Sequence, residues 1–321
     1  MAISEFQLIE KYFSNHANRQ DVLEGPGDDC AILDVPANNS LVVSTDTLVS
    51  GVHFLPDMDP NALGYRALAV NLSDLAAMGA DPRWVSLALT LPEVDEAWIK
   101  SFCDGFFELA EYYNVALIGG DMTRGPLSIT VSVKGTIPEG KALLRSGAKA
   151  GDLIYVSGRL GDAALALEHL LGRRTLPSQQ FDALKLKLEF PHPRILAGQA
   201  LRGIASSALD ISDGLLSDLG HITRASNVRA QIHLEQLPLS ESMRALTEPE
   251  EAWRLALGGG DDYELCFTVP EAHRGSLDTA LAHSGVRHTC IGRIVPGEPG
   301  VELYHDGHKI ELEARGWDHF A

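Results

Sequence analysis

Apolar runs in this chain keep stopping at an aspartate, and that habit limits the fold more than any other feature of the sequence. LVVST is followed by Asp46, VALIGG by Asp121 and SSAL by Asp210. Read as strands, these segments each place a carboxylate at the mouth of a sheet, where open α/β sheets bind their ligands. Asp29 in GDDCA, Asp74 in NLSDL and Asp213 in LDISDG stand at further joints. Any one of them has an ordinary structural use, since Asp favours turns and helix N-caps. Together they point to a site for several metal ions and phosphates, because Mg²⁺ is usually held by one or two carboxylates plus the phosphates of its substrate. Asp74 differs from the rest. ALAVNLSDLAAMGA reads as a nearly all-apolar helix with Asn71 and Asp74 three apart on one face, and a carboxylate in a buried helix needs a partner.

The pattern between these joints predicts a mixed α/β chain. SEFQLIEKYF is a helix, CAILDV and LVVSTD are strands, and PNALGYRALAVNLSDLAAMG is a long helix. WVSLALTL, VALIGGD and LSITVSVKG are strands, and DEAWIKSFCDGFFELAEYY is an amphipathic helix. LLRSGAKAGD then reads as a polar joint, which divides the 321 residues into a domain over 1–149 and a second over 150–321. The second opens with the strand LIYVSG and the helix DAALALEHLL. It continues through the variable stretch GRRTLPSQQFDALK, the helix PRILAGQALRGI and the strand SSALD. Next comes a helix opening at Ser212, an N-cap candidate. YELCFTV, a helix over EAHRGSLDTALAHSG, HTCIGRIV and a hairpin at Asp306-Gly307 complete it.

A hydrophobic content of 45% suits a large buried core, and a net charge of -18 argues against nucleic acid or an anionic membrane as partner. If so acidic a protein binds phosphates, bound cations are the simplest way to invert the local sign. Cys30, Cys103, Cys266 and Cys290 form no C-x-x-C pair and are expected to be reduced thiols, mostly buried. MAISEFQLIEKYF carries charges inside an amphipathic pattern, so it is not read as a secretory signal. No apolar run approaches the roughly 18 residues that span a bilayer. The expected location is the cytoplasm.

GTIPEGKA, from Gly135 to Ala142, approaches a P-loop but fails as one. Ala142 stands where Ser or Thr should ligate Mg²⁺, Pro138 interrupts the loop and no long helix follows, so a hairpin turn is the better expectation. GGGDDYEL and IGGDMTRG set paired glycines before Asp, which lets backbone approach a ligand closely. The N-terminus of the Ser212 helix offers free N–H groups to a phosphate or to the neighbourhood of a metal. Asp210 and Asp213 flank it, and one of them is equally suited to capping. No G-x-S-x-G, no H-E-x-x-H and no Cys beside a plausible His supplies a nucleophile, which favours metal-assisted direct transfer.

GPGDDCAIL, STDTLVSGVHF, ALAVNLSDLAAMGADP, LIGGDMTRGP, LLRSGAKAGD, LDISDGLLSDLGHI, GGGDDYEL and GWDHF together resemble the bacterial thiamine-monophosphate kinases from end to end. The resemblance implies a two-domain α/β fold like that of aminoimidazole-ribonucleotide synthetase, with an N-terminal domain that pairs with its twin in a homodimer and binds ATP and Mg²⁺. It implies transfer from ATP to thiamine monophosphate, giving thiamine diphosphate. Positions matching Asp29, Asp46, Asp74, Asp121 and Asp210 hold several Mg²⁺ ions there, with Thr45 or Ser44 assisting and Asp213 holding a further ion. Asp74, Asp121 and Asp210 are the implied catalytic residues. Gly120, Asp121, Arg145 and Ser212 match ATP contacts, with Tyr112 near the base, and His53, Asp261 and Trp317 match positions facing the thiamine part. Asp261 departs from the family, which usually has Glu there. Arg145 reads equally as a solvated linker arginine. Trp317 suits a cationic thiazolium and suits packing of the tail almost as well.

Two other readings stay in view. Selenophosphate synthetases carry a reactive Cys or Sec in a glycine-rich N-terminal segment and hydrogenase-maturation dehydratases end in a Cys motif, whereas this chain ends in GWDHFA. A non-catalytic nucleotide sensor would not need carboxylates at every metal position.

Overall fold

The computed structural model describes residues 5–14, 16, 19–314 and 316, so Trp317 lies outside the described residues. The chain forms two compact units, one from Met1–Leu75 and Ala80–Gly140, the other from Ala76–Gly79 and Lys141–Ala321.

The first unit contains α1 (Glu5–Tyr12), β1 (Val22–Glu24), β2 (Ile32–Leu33), β3 (Asn39–Val49), α2 (Pro60–Ala77, whose last residues group with the second unit), β4 (Asp81–Leu91), α3 (Glu96–Tyr112), β5 (Ala116–Arg124) and β6 (Ser128–Pro138). Its main sheet has the order β3-β6-β4-β5, with β4 and β5 parallel and the other pairs antiparallel. β6 shows why it is a strand: Ile129, Val131 and Val133 are buried while Ser128, Thr130, Ser132 and Lys134 are half-buried, a period of two. α2 and α3 cross at glycines. A Cβ on Gly64 would stand 2.0 Å from the Phe102 carbonyl oxygen, and one on Gly105 would stand 1.9 Å from that of Asn61. Asp95 caps α3 by accepting from the N–H groups of Ala97 and Trp98. The short β1–β2 pair lays Val22, Ala31 and Leu33 against Trp84, Ala116 and Ile118.

The rule that apolar runs end at aspartates needs correction here. β3 continues past Asp46 to Val49, and β5 continues past Asp121 to Arg124. Backbone pairing sustains β3, since Asn39 through Val49 match Pro138 through Ser128 residue by residue. An edge strand with exposed side chains needs no apolar run to persist. CAILDV contracts to Ile32–Leu33, and GTIPEGKA is split: Gly135–Pro138 end β6 and Glu139-Gly140, with Gly140 at φ +71°, make an exit turn in place of a hairpin.

The second unit contains β7 (Leu153–Ser157), α4 (Asp162–Leu170), α5 (Ser178–Glu189), α6 (Ile195–Ala200), β8 (Ser207–Asp210), α7 (Leu215–Ser226), β9 (Arg229–His233), α8 (Glu241–Leu246), α9 (Pro249–Gly258), β10 (Leu265–Val269), α10 (Arg274–Leu281), β11 (His288–Val295), β12 (Gly300–His305) and β13 (His308–Ile310). Seven strands form one sheet in the order β13-β12-β9-β11-β7-β10-β8, antiparallel except for β12 beside β9. Ile154, Val156, Leu209, Cys266 and Ile291 join Leu215, Leu219 and Ile222 of α7 in the core. The stretch GRRTLPSQQFDALK hides a helix: α5 packs Phe181, Leu184 and Leu188 into a cluster with Ala163, Leu165 and Ala166 of α4. Asp210 does close its strand, and Asp306-Gly307 forms the expected hairpin turn at φ 48° and 77°. Ser212 is no N-cap, because α7 begins at Leu215 behind Gly214 at φ +110°.

Candidate active site

In the first unit the edge strand β3 and the buried helix α2 bring four of the polar residues together. Asn71 accepts from the backbone N–H of Asp46 at 3.1 Å and donates to the Ala67 carbonyl at 2.9 Å. Ser44 donates a short hydrogen bond to Asp74. The half-buried carboxylate of Asp74 thus has the partner its helix demanded. The i, i+3 spacing of Asn71 and Asp74 gives one amide and one carboxylate facing two alternate residues of the same strand. Thr45 lies on the opposite face of β3, where its hydroxyl donates to Ser132 at 2.9 Å. Of the Ser44 and Thr45 side chains, only Ser44 meets Asp74.

A cleft of about 450 Å³ lies between the Pro26–Ala31 loop and strands β4 and β5, and it collects Asp28, Asp29, Ser86, Gly119, Gly120 and Asp121. Asp28 shapes the loop by accepting from the Asp29 N–H at 2.8 Å. Gly120 cannot be replaced without displacement, since a Cβ there would stand 1.8 Å from the Leu87 carbonyl oxygen. The paired glycines therefore serve close strand packing as well as an open floor. Tyr112 ends α3 with 70% of its surface exposed and its ring edge-on to Tyr113. His53 accepts from the Val49 N–H at 3.0 Å, which fixes its ring beside the end of β3.

In the second unit the functional candidates other than Asp210, which ends β8, sit on irregular backbone. Asp210, Ser212 and Asp213 occupy the passage from β8 to α7. Asp218, in the first turn of α7, accepts from the N–H groups of both Ser212 and Asp213 at 3.1 Å. Burial, and then the nearby Asp213 charge, push the Asp218 carboxyl up to about 7. The Ser212 and Asp213 amides are thus engaged by a carboxylate of the chain itself. Arg145 is exposed, its carbonyl accepts from Ser226, and its charge is felt at Asp218. Asp261 donates its N–H to the Ser212 carbonyl at 2.9 Å and accepts from the Tyr263 hydroxyl at 3.2 Å. Asp218 was not among the sequence candidates. Its signal was available, being a lone carboxylate among the buried Leu215, Leu219 and Ile222 of an apolar helix face.

Among the described residues, no three His, Cys, Asp or Glu side chains gather closely enough to hold a metal by themselves. The donors nonetheless fit Mg²⁺. They are carboxylate and hydroxyl oxygens throughout, the donor chemistry of a hard cation that completes its shell with phosphates and water.

The sequence matches the family model of AIR synthase related protein, N-terminal domain, over residues 27–137 and the C-terminal domain model over 149–304. It is 56% identical to the thiamine-monophosphate kinase of Escherichia coli K12, covering 100% of this chain and 99% of that one. The Bacillus subtilis kinase is 36% identical over 99% and 100% of the two chains. The crystal structure of the Stenotrophomonas maltophilia K279a thiamine-monophosphate kinase, 48% identical, superposes with a TM-score of 0.85 over 91% of this chain and 93% of that one. AaThiL complexed with AMPPCP and TMP, 32% identical, gives 0.78 over 100% and 99%. The hydrogenase maturation protein HypE of E. coli, 22% identical with a TM-score of 0.77 over 96% and 97%, shares the fold alone. Two AIR-synthase-like α/β domains in order, and identity to kinases sustained over the whole length, lead to one conclusion: the chain belongs to the thiamine-monophosphate kinase family.

Proposed function

We propose that this kinase passes the γ-phosphoryl group of ATP directly and in line to the phosphate of thiamine monophosphate, giving thiamine diphosphate and ADP, with the help of several Mg²⁺ ions that its aspartates would hold. The observation that carries the reading is the set Ser44, Asp46, Asn71 and Asp74, in which a buried helix and an edge strand fix hard oxygen donors. It stands in a chain built like AaThiL, a protein complexed with AMPPCP and TMP.

Two phosphate charges about 5 Å apart repel by roughly 3 kcal/mol at an effective dielectric near 20, and two phosphate groups present several such pairs. Bound Mg²⁺ supplies the neutralising charge. The protein's part is positioning. Asp74, Asp121 and Asp210 hold the reacting centre, and Asp29, Asp46, Asp213 and Ser44 or Thr45 complete the metal donors. Gly120, Asp121, Arg145 and Ser212 contact ATP with Tyr112 near its base, while His53, Asp261 and Trp317 face the thiamine part. An acceptor phosphate oxygen is already ionised, so no strong general base is required.

The N-terminal domain, 1–149, takes the dimerisation and ATP roles beside a C-terminal domain over 150–321. A homodimer is supported by the open face of the first unit's sheet, where the Thr47 and Thr130 hydroxyls bond at 2.9 Å and Leu41 and Val43 are 48% and 55% exposed. No described helix is long and apolar enough to cross a membrane, which accords with a cytoplasmic enzyme. The test is ADP release with ATP and Mg²⁺ across thiamine monophosphate, free thiamine and aminoimidazole precursors. ADP is expected with the first alone. γ-labelled ATP without acceptor should leave the protein unlabelled, and a chemically competent phosphoenzyme would overturn direct transfer.

A further inference from the structure

The segment Gly260–Tyr263 holds a conformation it would not keep unaided. Asp261 and Tyr263 both have positive φ, 60° and 48°, on either side of Asp262. Left-handed backbone at such residues costs on the order of 1 kcal/mol each and persists only where the surroundings impose it. Two main-chain bonds impose part of it, from Asp261 N–H to the Ser212 carbonyl at 2.9 Å and from Tyr263 N–H to the Ile211 carbonyl at 2.8 Å. The third tie is a side chain. Asp262 Oδ1 accepts from the Gly161 N–H at 2.8 Å, and Gly161 lies at φ +85° where the turn after β7 enters α4. That turn is itself wedged, since a Cβ on Gly161 would come within 2.9 Å of the Ala256 nitrogen and 3.0 Å of the Met243 methyl.

The other carboxylate oxygen of Asp262, Oδ2, is buried and finds no hydrogen-bond partner among the described residues. Its charged surroundings are mostly acidic: Glu264 just before β10, Asp162 of α4 and Asp261 beside it. Arg194 is engaged by Glu264, and the Arg159 and Lys187 charges are felt at Asp162. One backbone N–H does not compensate a buried negative charge amid three carboxylates. A protonated Asp262 carries no charge, keeps the Gly161 bond through Oδ1 and leaves only a single O–H contact unmade.

We propose that Asp262 is a positioning residue that acts as a neutral carboxylic acid, locking the segment that carries Asp261 and grips Ser212 onto the Gly161 turn. Burial, reinforced by the Glu264, Asp162 and Asp261 charges, raises its pKa well above the ordinary carboxylate value, in keeping with that state. The catalytic consequence rests on the reading above that Asp261 faces the acceptor. Asp262 itself touches no substrate in this scheme.

The experiment compares wild type, Asp262→Asn and Asp262→Ala in two measurements across pH 6 to 10. Asparagine keeps an acceptor for the Gly161 N–H and cannot ionise. In steady-state kinetics it should stay within about threefold of wild type near neutral pH, while alanine raises the KM for thiamine monophosphate about tenfold and the KM for ATP by less, since the Ser212 N–H keeps its bond to Asp218. Wild type should lose acceptor affinity at the alkaline end, and Asp262→Asn should not. In thermal melting, extended down to pH 4, wild type should lose stability relative to Asp262→Asn as pH rises from about 4 through the raised pKa. The sign follows because the folded state holds the proton more tightly than the unfolded chain. An asparagine variant as impaired as alanine, an alanine variant indistinguishable from wild type, or parallel melting profiles for wild type and asparagine would each overturn the inference. Wild type that releases no ADP with thiamine monophosphate would refute the substrate reading instead, and the melting comparison would still decide the state of Asp262.

Discussion

The first unit carries Asp46, Asp74 and Asp121 on regular elements and gives Asp46 and Asp74 neutral partners, whereas the second carries Asp213 and Asp261 on irregular backbone held by buried acids and an ion pair. Ser44 and Asn71 steady the Asp74 and Asp46 region through one hydroxyl and one amide on a strand and a helix. Around Asp210, Asp213 and Asp261 the work falls to Asp218, Asp262 and the pair of Glu264 with Arg194. A strand and a helix bring their own backbone hydrogen bonds, so a polar side chain there is free to orient another. A turn with left-handed residues must be held from outside, and the available holders are charged or ionisable groups taken out of water. The second arrangement should be the more brittle of the two.

The sharpest way to break that comparison is Arg194→Met. Glu264 accepts from Arg194 Nε at 2.7 Å and from the Ser157 hydroxyl at 2.5 Å, and its side chain is nearly inaccessible. Removing the guanidinium strands a buried carboxylate, and about 3–5 kcal/mol of stability should be lost. Denaturant unfolding measures it. Arg194→Met combined with Glu264→Leu should recover most of the loss, and if it does not, the pair is more than an electrostatic brace.

Asp74→Asn tests the first unit in the opposite currency. Its partner Ser44 also hydrogen-bonds an amide, so the fold should survive while kcat falls about 10²–10³-fold, roughly 3–4 kcal/mol of transition-state stabilisation. Asp121→Asn, in the cleft with Asp29 and Gly120, should behave alike. Wild-type turnover by either variant at saturating Mg²⁺ would remove the metal reading from the first unit.

The sequence made the regular half of this contrast legible and hid much of the irregular half. Helical period placed Asn71 beside Asp74 and demanded a partner for the carboxylate, because spacing of three on a buried helix has one geometric meaning. The register of β3, which decides that Ser44 and not Thr45 meets α2, depends on pairing with β6 some ninety residues away in the chain, and no local pattern encodes it. Asp46 and Asp121 looked like strand ends because apolar runs stop there. Edge position and backbone pairing carry both strands further. Ser212 looked like an N-cap because Ser before a polar-apolar helix usually is one. Gly214 at φ +110° and the return of Asp218 onto the Ser212 and Asp213 amides displaced that start by two residues. α5 was missed for a related reason, since Phe181, Leu184 and Leu188 make a narrow apolar stripe in an otherwise polar segment.

A smaller effect sharpens the role of neutral partners. Asn71→Ala deletes the acceptor for the Asp46 N–H and leaves the Ala67 carbonyl without that donor inside a buried helix. About 1–2 kcal/mol should be lost. Apparent Mg²⁺ affinity should fall with it if Asp46 is a ligand. Stability lost with metal dependence intact would make Asn71 a packing residue only.

The smallest expected effect concerns an ionic network in the first unit, and its size decides whether exposure is the reason for the contrast. Asp21 accepts from Arg19 Nε at 2.8 Å, from Arg83 Nη1 at 2.7 Å and from the Trp84 indole at 3.3 Å. The Arg19 bond, helped by Arg83 and opposed by partial burial, lowers its pKa from 3.8 to about 2. A depressed carboxylate contributes stability that is present above the unfolded value and lost as pH falls from about 4 through 2. The groups are part-exposed, with 14% of the Arg19, 16% of the Asp21 and 23% of the Arg83 side chain open to water, so solvent screening should hold the contribution to about 1 kcal/mol. Asp21→Asn should therefore destabilise modestly at neutral pH and show a shallower loss of stability between pH 4 and 2, measured by urea unfolding at each pH. A cost equal to that of Arg194→Met would mean that burial is not what separates the two networks, and the difference between the units would then have to be sought in backbone regularity alone.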